Sequence, residues 1–172
     1  VRGFLGAAGF CRIWIPNFAL IAKPLYQSVK GPERKPLFWE GEQRKAFQTL
    51  KDERMKSPTL GLPDVTGPFK LYVDVRKRVA VGVLTQDSGK WKRPVAYPSN
   101  QLDVPAQGCP QCLKILAATV LLLQETNKLT FNAPVEIQTS HALHTILEHK
   151  GQLWISNQRI YKYQALLIDN PN

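Results

Sequence analysis

A chain of 172 residues, 44% hydrophobic and 21% charged, can bury the core of one ordinary domain or two small ones, and its normal apolar content excludes intrinsic disorder. The longest predominantly apolar stretch, Ile115 to Leu123, is nine residues, far short of the ~20 that cross a bilayer, and no signal-peptide pattern opens the chain. A net charge of +10 and an isoelectric point near 9.7 point to a polyanionic partner, nucleic acid before an acidic membrane surface. Three cysteines, an odd and sparse set, suit a reducing intracellular compartment, cytoplasmic or nuclear. A first residue that is valine rather than methionine suggests an excised piece of a longer protein.

Phe4, Ala8, Cys11 and Ile15 recur at spacings of three and four, so the chain opens on a helix with these on one face. Pro16 ends it, Asn17 can cap the next, and Phe18 to Val29 continues as a helical hairpin partner. The basic loop "KGPERKP" leads to a third helix near Gln43 to Lys56, with Ala46, Phe47 and Leu50 as its apolar stripe. From Ser57 to Pro68 the chain turns rich in proline and glycine, which reads as a linker or a domain entrance. Strand signals follow. Leu71 and Val73 alternate with Tyr72 and Asp74, Val79 to Thr85 forms a second strand around Gly82, and "RPVAY" a third after the turn "DSGKWK". Cys109 to Asn127 is long, apolar and glycine-free, hence helical; "PVEIQTS" is a fourth strand, "HALHTILEH" a helix and "ISNQRIYKYQALLID" a last helix. Three consecutive strands, a helix, a strand and a helix predict an α/β (α+β) layer around one sheet, behind a small helical subdomain. Residues 1–60 and 61–172 are the two units this implies.

Several constellations invite a chemical reading. Asp74 ends the first strand, where an acid can hold a catalytic metal. Two-metal hydrolysis, however, needs several carboxylates around ions roughly 4 Å apart, and one aspartate cannot neutralise two divalent cations. Glu125, Glu136 and Glu148 are not placed to help. Cys109-x-x-Cys112 with His141 and His144 falls outside zinc-ligand spacing, and a redox CxxC would need a thioredoxin-like strand before it. His141, His144 and His149 have no acid or serine at triad spacing. Trp154, Tyr161 and Tyr163 recur at helical spacing, which is a core stripe more often than a base-stacking one. Two basic clusters remain, Arg76-Lys77-Arg78 and Lys90-Trp91-Lys92-Arg93. Both lie on strand turns that would share a face, and basic residues interleaved with tryptophan can hold phosphates and sugars.

At this point the residues resemble a known family, the thumb and connection regions of gammaretrovirus-type reverse transcriptases, related also to gypsy-type retroelements. "FLGAAGFCRIWIPNFALIAKPLY" is similar to the thumb pattern through Phe4, Leu5, Gly6, Gly9, Arg12, Ile15, Pro16, Phe18, Pro24 and Leu25. "FWEGEQRKAFQTLK", "LPDVTGPFKLYVD", "GVLTQ", "KRPVAY" and "SNQRIYKYQALLID" follow in the family's order, so the resemblance covers nearly the whole chain. It implies a helical thumb-like subdomain over 1–60 and a connection domain over 61–172, with a ribonuclease H-like fold, a mixed sheet and none of the chemistry.

The same resemblance assigns the expected acids. In ribonuclease H relatives the second acid lies on the first long helix and the third at the end of the following strand; here those positions are Lys114 and Ser140. A lysine repels a metal and a serine offers a neutral oxygen, so Asp74 is expected to be a remnant, a turn cap or a partner for Arg76 or Lys77. No metal, cofactor or catalysis is expected of this piece, although the parent polyprotein would be an RNA-directed DNA polymerase with ribonuclease H. Arg78, Pro98 and Cys109 depart from the family pattern and point to an endogenous copy. The expected role is a template-primer scaffold that binds RNA–DNA hybrid or duplex DNA weakly and salt-sensitively. Arg12, Lys23, Lys92 and Arg93 would meet the backbone, and the polymerase and ribonuclease H domains would be partners in cis. No membrane partner is expected. A host-adopted protein-interaction module that keeps the fold is the alternative, and an active nuclease is nearly excluded by the missing acids.

Overall fold

The computed structural model describes residues 1–30, 39–143, 145 and 157–167. The first helix, α1 (Arg2–Phe10), is shorter than its apolar spacing predicts, giving way to a 3-10 turn over Arg12–Trp14. Pro16 is the cause. It forces Ile15 into the extended region (φ −104°, ψ 109°), and a helix through it would clash with the Arg12 carbonyl. Ile15 is still fully buried, but through this bend rather than along a helix face. Asn17 takes a left-handed conformation (φ 58°) and its side chain caps nothing; its carbonyl accepts from the N–H groups of Leu20 and Ile21 at 2.9 and 3.1 Å, starting α2 (Phe18–Ser28). With α3 (Gly41–Met55) these helices close a small core around Leu5, Ala8, Ile15, Phe18, Ala22, Leu25, Ala46 and Leu50. Phe4 and Phe47 cover it, their rings 4.4 Å apart.

The sheet holds β1 (Phe69–Arg76), β2 (Val79–Ser88), β3 (Trp91–Ala96), β4 (Ser99–Gln101) and β5 (Val135–Gln138). Their order is β3-β2-β1-β5, with β4 also pairing β2. Pairing is antiparallel except between β1 and β5. A parallel pair needs a crossover, and α5 (Gln111–Thr130) supplies it. Phe69, Leu71 and Val73 point from β1 into a core shared with Leu113, Leu116 and Leu122 of α5. Each such fully buried side chain contributes about 1.5–3 kcal/mol of transfer free energy. Two of the three threonines buried in α5, Thr119 and Thr126, return their hydroxyls to the carbonyls of Ile115 and Leu122 at 2.9 and 3.0 Å, so their burial leaves no open donor. Gly82 lies where β2 meets this layer. A Cβ there would stand 2.7 Å from the Tyr72 carbonyl oxygen and 2.9 Å from Leu122.

Two short elements escape periodicity, β4 and α4 (Val104–Gly108), the latter capped by the Asp103 carboxylate accepting from Ala106 N–H at 3.2 Å. Both are too short to repeat a pattern. Pro98, out of keeping with a continuous strand, sits in the gap between β3 and β4, where its missing N–H is not needed and its carbonyl accepts from Gly82 at 2.9 Å. The proline-rich stretch before β1 is no free linker but is stitched to the sheet. Gly61 N–H donates to Pro94, Arg93 donates to the Leu62 carbonyl at 2.6 Å, and the buried Gln86 amide bonds both to Asp64 N–H and to the Asp64 carbonyl. Gly61 leaves room for the Arg93 side chain, which a Cβ 2.0 Å away would push aside. The last described helix, α6 (Asn157–Leu167), buries Tyr163 against the core and ion-pairs Arg159 with Asp103. The expected helix over His141–His149, and the ends of the last helix at Ile155 and Asp169, extend outside the described residues, as does most of the "KGPERKP" loop.

The β1–β2 turn puts Lys77 and Arg78 at φ 47° and 68°, a two-residue hairpin geometry in which glycine is favoured at the second position. Arg78→Gly should therefore raise stability by about 0.5–1 kcal/mol, read as a rise of roughly 1–4 °C in the unfolding midpoint. Gly82→Ala should lower it, and a variant as stable as the parent would overturn the close approach argued above.

Candidate nucleic-acid interface

Asp74 stands on the face of β1 that turns away from α5, half-exposed. One oxygen accepts from Val75 N–H at 2.7 Å and the other from Arg76 Nε at 2.9 Å. Arg76 is thus its partner, and both of its oxygens are engaged. Extending the β1–β5 register of Tyr72 with Gln138 by two residues brings Ser140 abreast of Asp74, with its hydroxyl 2.9 Å from His141 Nδ1. Lys114 lies in the first turn of α5, the helix covering the opposite face. Among the described residues no three of His, Cys, Asp and Glu gather closely enough to hold a metal ion.

The basic clusters do not share a location. Consecutive hairpins turn at opposite ends of the strand between them, so Arg76-Lys77-Arg78 and Lys90-Trp91-Lys92-Arg93 are separated by the length of β2, ten residues, or roughly 30 Å. The shared face expected from their neighbouring turns is therefore not found, because the meander reverses direction at each hairpin. Trp91 is 81% exposed among its cations. Lys92 donates to the Tyr72 hydroxyl at 2.6 Å and stands 5.1 Å from that ring's centre. Arg93, exposed, holds the Leu62 carbonyl. Lys23, on α2, has neither ion pair nor hydrogen bond among the described residues.

Arg12 is placed differently. It leaves the 3-10 turn and donates to the Ser99 carbonyl at 2.9 Å, while forming an ion pair with Glu125 of α5. Beside it, Tyr97 N–H donates to the Ile13 carbonyl at 2.9 Å and Ala19 N–H to Ser99 Oγ at 3.0 Å. These bonds form the seam between the helical layer and the sheet. Next to them Pro16 and Asn17 overhang a crevice of about 280 Å³ floored by Tyr72, Asp74, Arg76 and Tyr97. No spacing marks Glu125 as this partner; its one signal in the sequence is that it is the sole acid of α5. Burial pushes its carboxyl above the ordinary glutamate value, and Arg12, Lys128 and Asn100 oppose this only in part.

The remaining candidates separate. Tyr163 is 8% exposed and belongs to the core, whereas Tyr161 is 70% exposed, and Trp154 lies outside the described residues. Cys109 and Cys112 are free thiols, the former donating to the Pro105 carbonyl at 3.4 Å. His144 and His149 lie outside the described residues. No described helix is long and apolar enough to cross a membrane.

Comparison with known proteins gives these features a context. Residues 39–137 match the model of an RNase H-like domain found in reverse transcriptase. Over 169 residues, 98% of its length, the chain is 49% identical to the Pol polyprotein of feline endogenous virus ECE1, and 50% identical to the Gag-Pol polyprotein of baboon endogenous virus strain M7. It spans only 16% and 10% of those polyproteins. The fold is similar to a foamy viral protease-reverse transcriptase solved in complex with double-stranded DNA, with TM-score 0.84 and 18% identity over 99% of this chain and 30% of that one. The same viral enzyme in complex with an RNA/DNA hybrid gives 0.81 at 18% identity, over 98% and 23%.

Two outcomes follow from the electrostatics. Glu125 binds its proton more tightly folded than unfolded, so its contribution to stability is fully present below the unfolded glutamate value and is lost as pH rises through the folded one. Glu125→Gln, which mimics the neutral form and keeps an acceptor for Arg12, should match or exceed the parent's stability at pH 7 and gain on it as pH rises from about 4.5. Urea unfolding across pH 4 to 8 reads this, and a variant clearly weaker at pH 7 would contradict it. Asp74→Asn should change stability by less than about 1 kcal/mol, because its ion pair is exposed.

Proposed function

Because the chain belongs to the RNase H-like domain family found in reverse transcriptases, we propose that it is a non-catalytic scaffold for template-primer nucleic acid, the thumb and connection part of a retroviral or endogenous retroviral Pol polyprotein. The observation that carries this is how its charges are spent. Asp74, Asp87, Asp103 and Glu125 are each taken by a cation of the same chain. Lys23, Lys77, Arg78 and Lys90 have no ion-pair partner among the described residues. Each pair removes one cation with its acid, so the surplus of +10 stays on cations such as these, open to a phosphate backbone.

In this reading residues 1–60 form the thumb-like unit and 61–172 the connection. The first holds eleven basic and five acidic residues, a surplus of six, and the second twelve and eight, a surplus of four. Lys23, Lys92 and Arg93 meet phosphates, with Trp91 exposed to stack on a sugar or base. Asp74 does no chemistry, since its oxygens are held by Arg76 and Val75 and Lys114 and Ser140 supply no second and third acid. The piece works inside the cell, in cis with polymerase and ribonuclease H domains, and needs no cofactor of its own.

Titration of labelled RNA–DNA hybrid and DNA duplex at several salt concentrations tests this. Binding should be sequence-tolerant, on the order of 10⁻⁴ to 10⁻⁶ M at physiological salt, with each neutralised phosphate adding about −0.9 to the log–log salt slope. Lys23→Ala, and the pair Lys92→Ala with Arg93→Ala, should lower affinity and slope for all sequences alike. Hybrid incubated with magnesium or manganese should stay uncut. Absence of binding at low salt would sink the scaffold in favour of a protein-interaction module, and cleavage abolished by Asp74→Asn would refute the non-catalytic assignment.

A further inference from the structure

We propose that Arg12 and Glu125 form a positioning clamp that holds the helical layer at a fixed angle to the sheet, and that binding of a nucleic-acid duplex depends on Glu125 although its charge is of the wrong sign for a polyanion. The second half of this rests on the scaffold reading; the first does not.

The geometry is specific. The helical layer and the sheet have separate cores, one around Leu25 and Leu50, the other around Phe69 and Leu116. Between residues 1–30 and the sheet, the described hydrogen bonds converge on one point: Arg12 on the Ser99 carbonyl, Ala19 N–H on Ser99 Oγ and Tyr97 N–H on the Ile13 carbonyl, beside the ion pair of Arg12 with Glu125 of α5. Ile13 alone of residues 1–30 packs against the sheet core; alongside it packing lapses, and the crevice under Pro16 and Asn17 is left open. Where two cores meet across a partly open seam, directional polar contacts set the angle that apolar contacts leave free.

Glu125 is a poor source of stability. Its second oxygen, Oε2, is buried without a hydrogen-bond partner among the described residues, and burial disfavours its charge. What it supplies is an acceptor at a defined place. Arg12 answers with a planar fork that bridges the carboxylate of α5 and the carbonyl of β4, which a lysine's single ammonium could not do in the same geometry. Lys23 lies on one side of this seam and Lys92 and Arg93 on the other. Both sides can engage one duplex without reordering only if the seam is already set.

The test uses the whole chain and three variants. Glu125→Ala and Glu125→Gln carry the same charge but only glutamine keeps an acceptor, and Arg12→Lys keeps the charge but loses the fork. Amide hydrogen exchange at Ala19 and Tyr97 should rise about tenfold in Glu125→Ala and Arg12→Lys, as the loss of a charge-assisted hydrogen bond implies, while β1 amides stay protected. Glu125→Gln should restore the parent's values. Affinity for an RNA–DNA hybrid should fall in Glu125→Ala, by roughly threefold to tenfold for a lost preorganising contact, with the salt slope unchanged and with recovery in Glu125→Gln. Simple electrostatics predicts the opposite, tighter binding in both glutamate variants. Unchanged exchange in Glu125→Ala would overturn the clamp. Raised exchange with unaltered or tighter binding would overturn its role in recognition. If the parent binds no nucleic acid the scaffold reading fails, and exchange alone then decides the clamp.

Discussion

The packing of β1 on α5 is the constraint on which the rest of the molecule depends. Phe69, Leu71 and Val73 enter the core on one side of the strand, so Tyr72, Asp74 and Arg76 must stand on the other. β1 is also the strand that pairs both with β2 and, in parallel, with β5. A one-residue slip would exchange its two faces, burying Asp74 and exposing Val73. Gly82 guards the same register from the neighbouring strand, because nothing larger fits between the Tyr72 carbonyl and Leu122.

Charge is distributed around that layer in two classes. Four acids are consumed in pairs that tie elements together: Asp87 with Lys70 across the sheet, Asp74 with Arg76 along β1, Asp103 with Arg159 between α4 and α6, and Glu125 with Arg12 across the seam. The three exposed pairs add little stability, and each takes one cation and one acid together out of the field seen by a polyanion. The cations left over sit mainly at hairpin tips and on helix surfaces. The basic surface thus follows from the excess of 23 lysines and arginines over 13 acids, which internal pairing leaves unchanged.

The expected phosphate contacts divide by the same logic. Lys23 projects from α2 without a partner among the described residues, and Lys92 and Arg93 each make one contact that leaves them exposed. Arg12 faces the seam instead, where its guanidinium is shared between a carbonyl and a carboxylate. Two arginines of one chain therefore have unlike surroundings, Arg12 in the 3-10 turn at the seam and Arg93 on β3.

Much of the architecture was legible in the sequence. Strand alternation around Leu71 and Val73, the glycine-free run of α5 and the apolar stripe of α3 are local patterns, and local patterns survive folding when one face is buried. The family motifs and the charge balance were legible for the same reason, being properties of residue order and count. Tertiary structure alone decided the rest. It stitched Ser57–Pro68 to the sheet through Gln86, a residue with no local signature. It sent the two basic turns to opposite ends of β2, since direction in a meander reverses at each hairpin. It also joined Arg12 to Glu125, residues 113 positions apart. Their meeting depends on where two cores come to rest against each other, and no spacing within either segment encodes that.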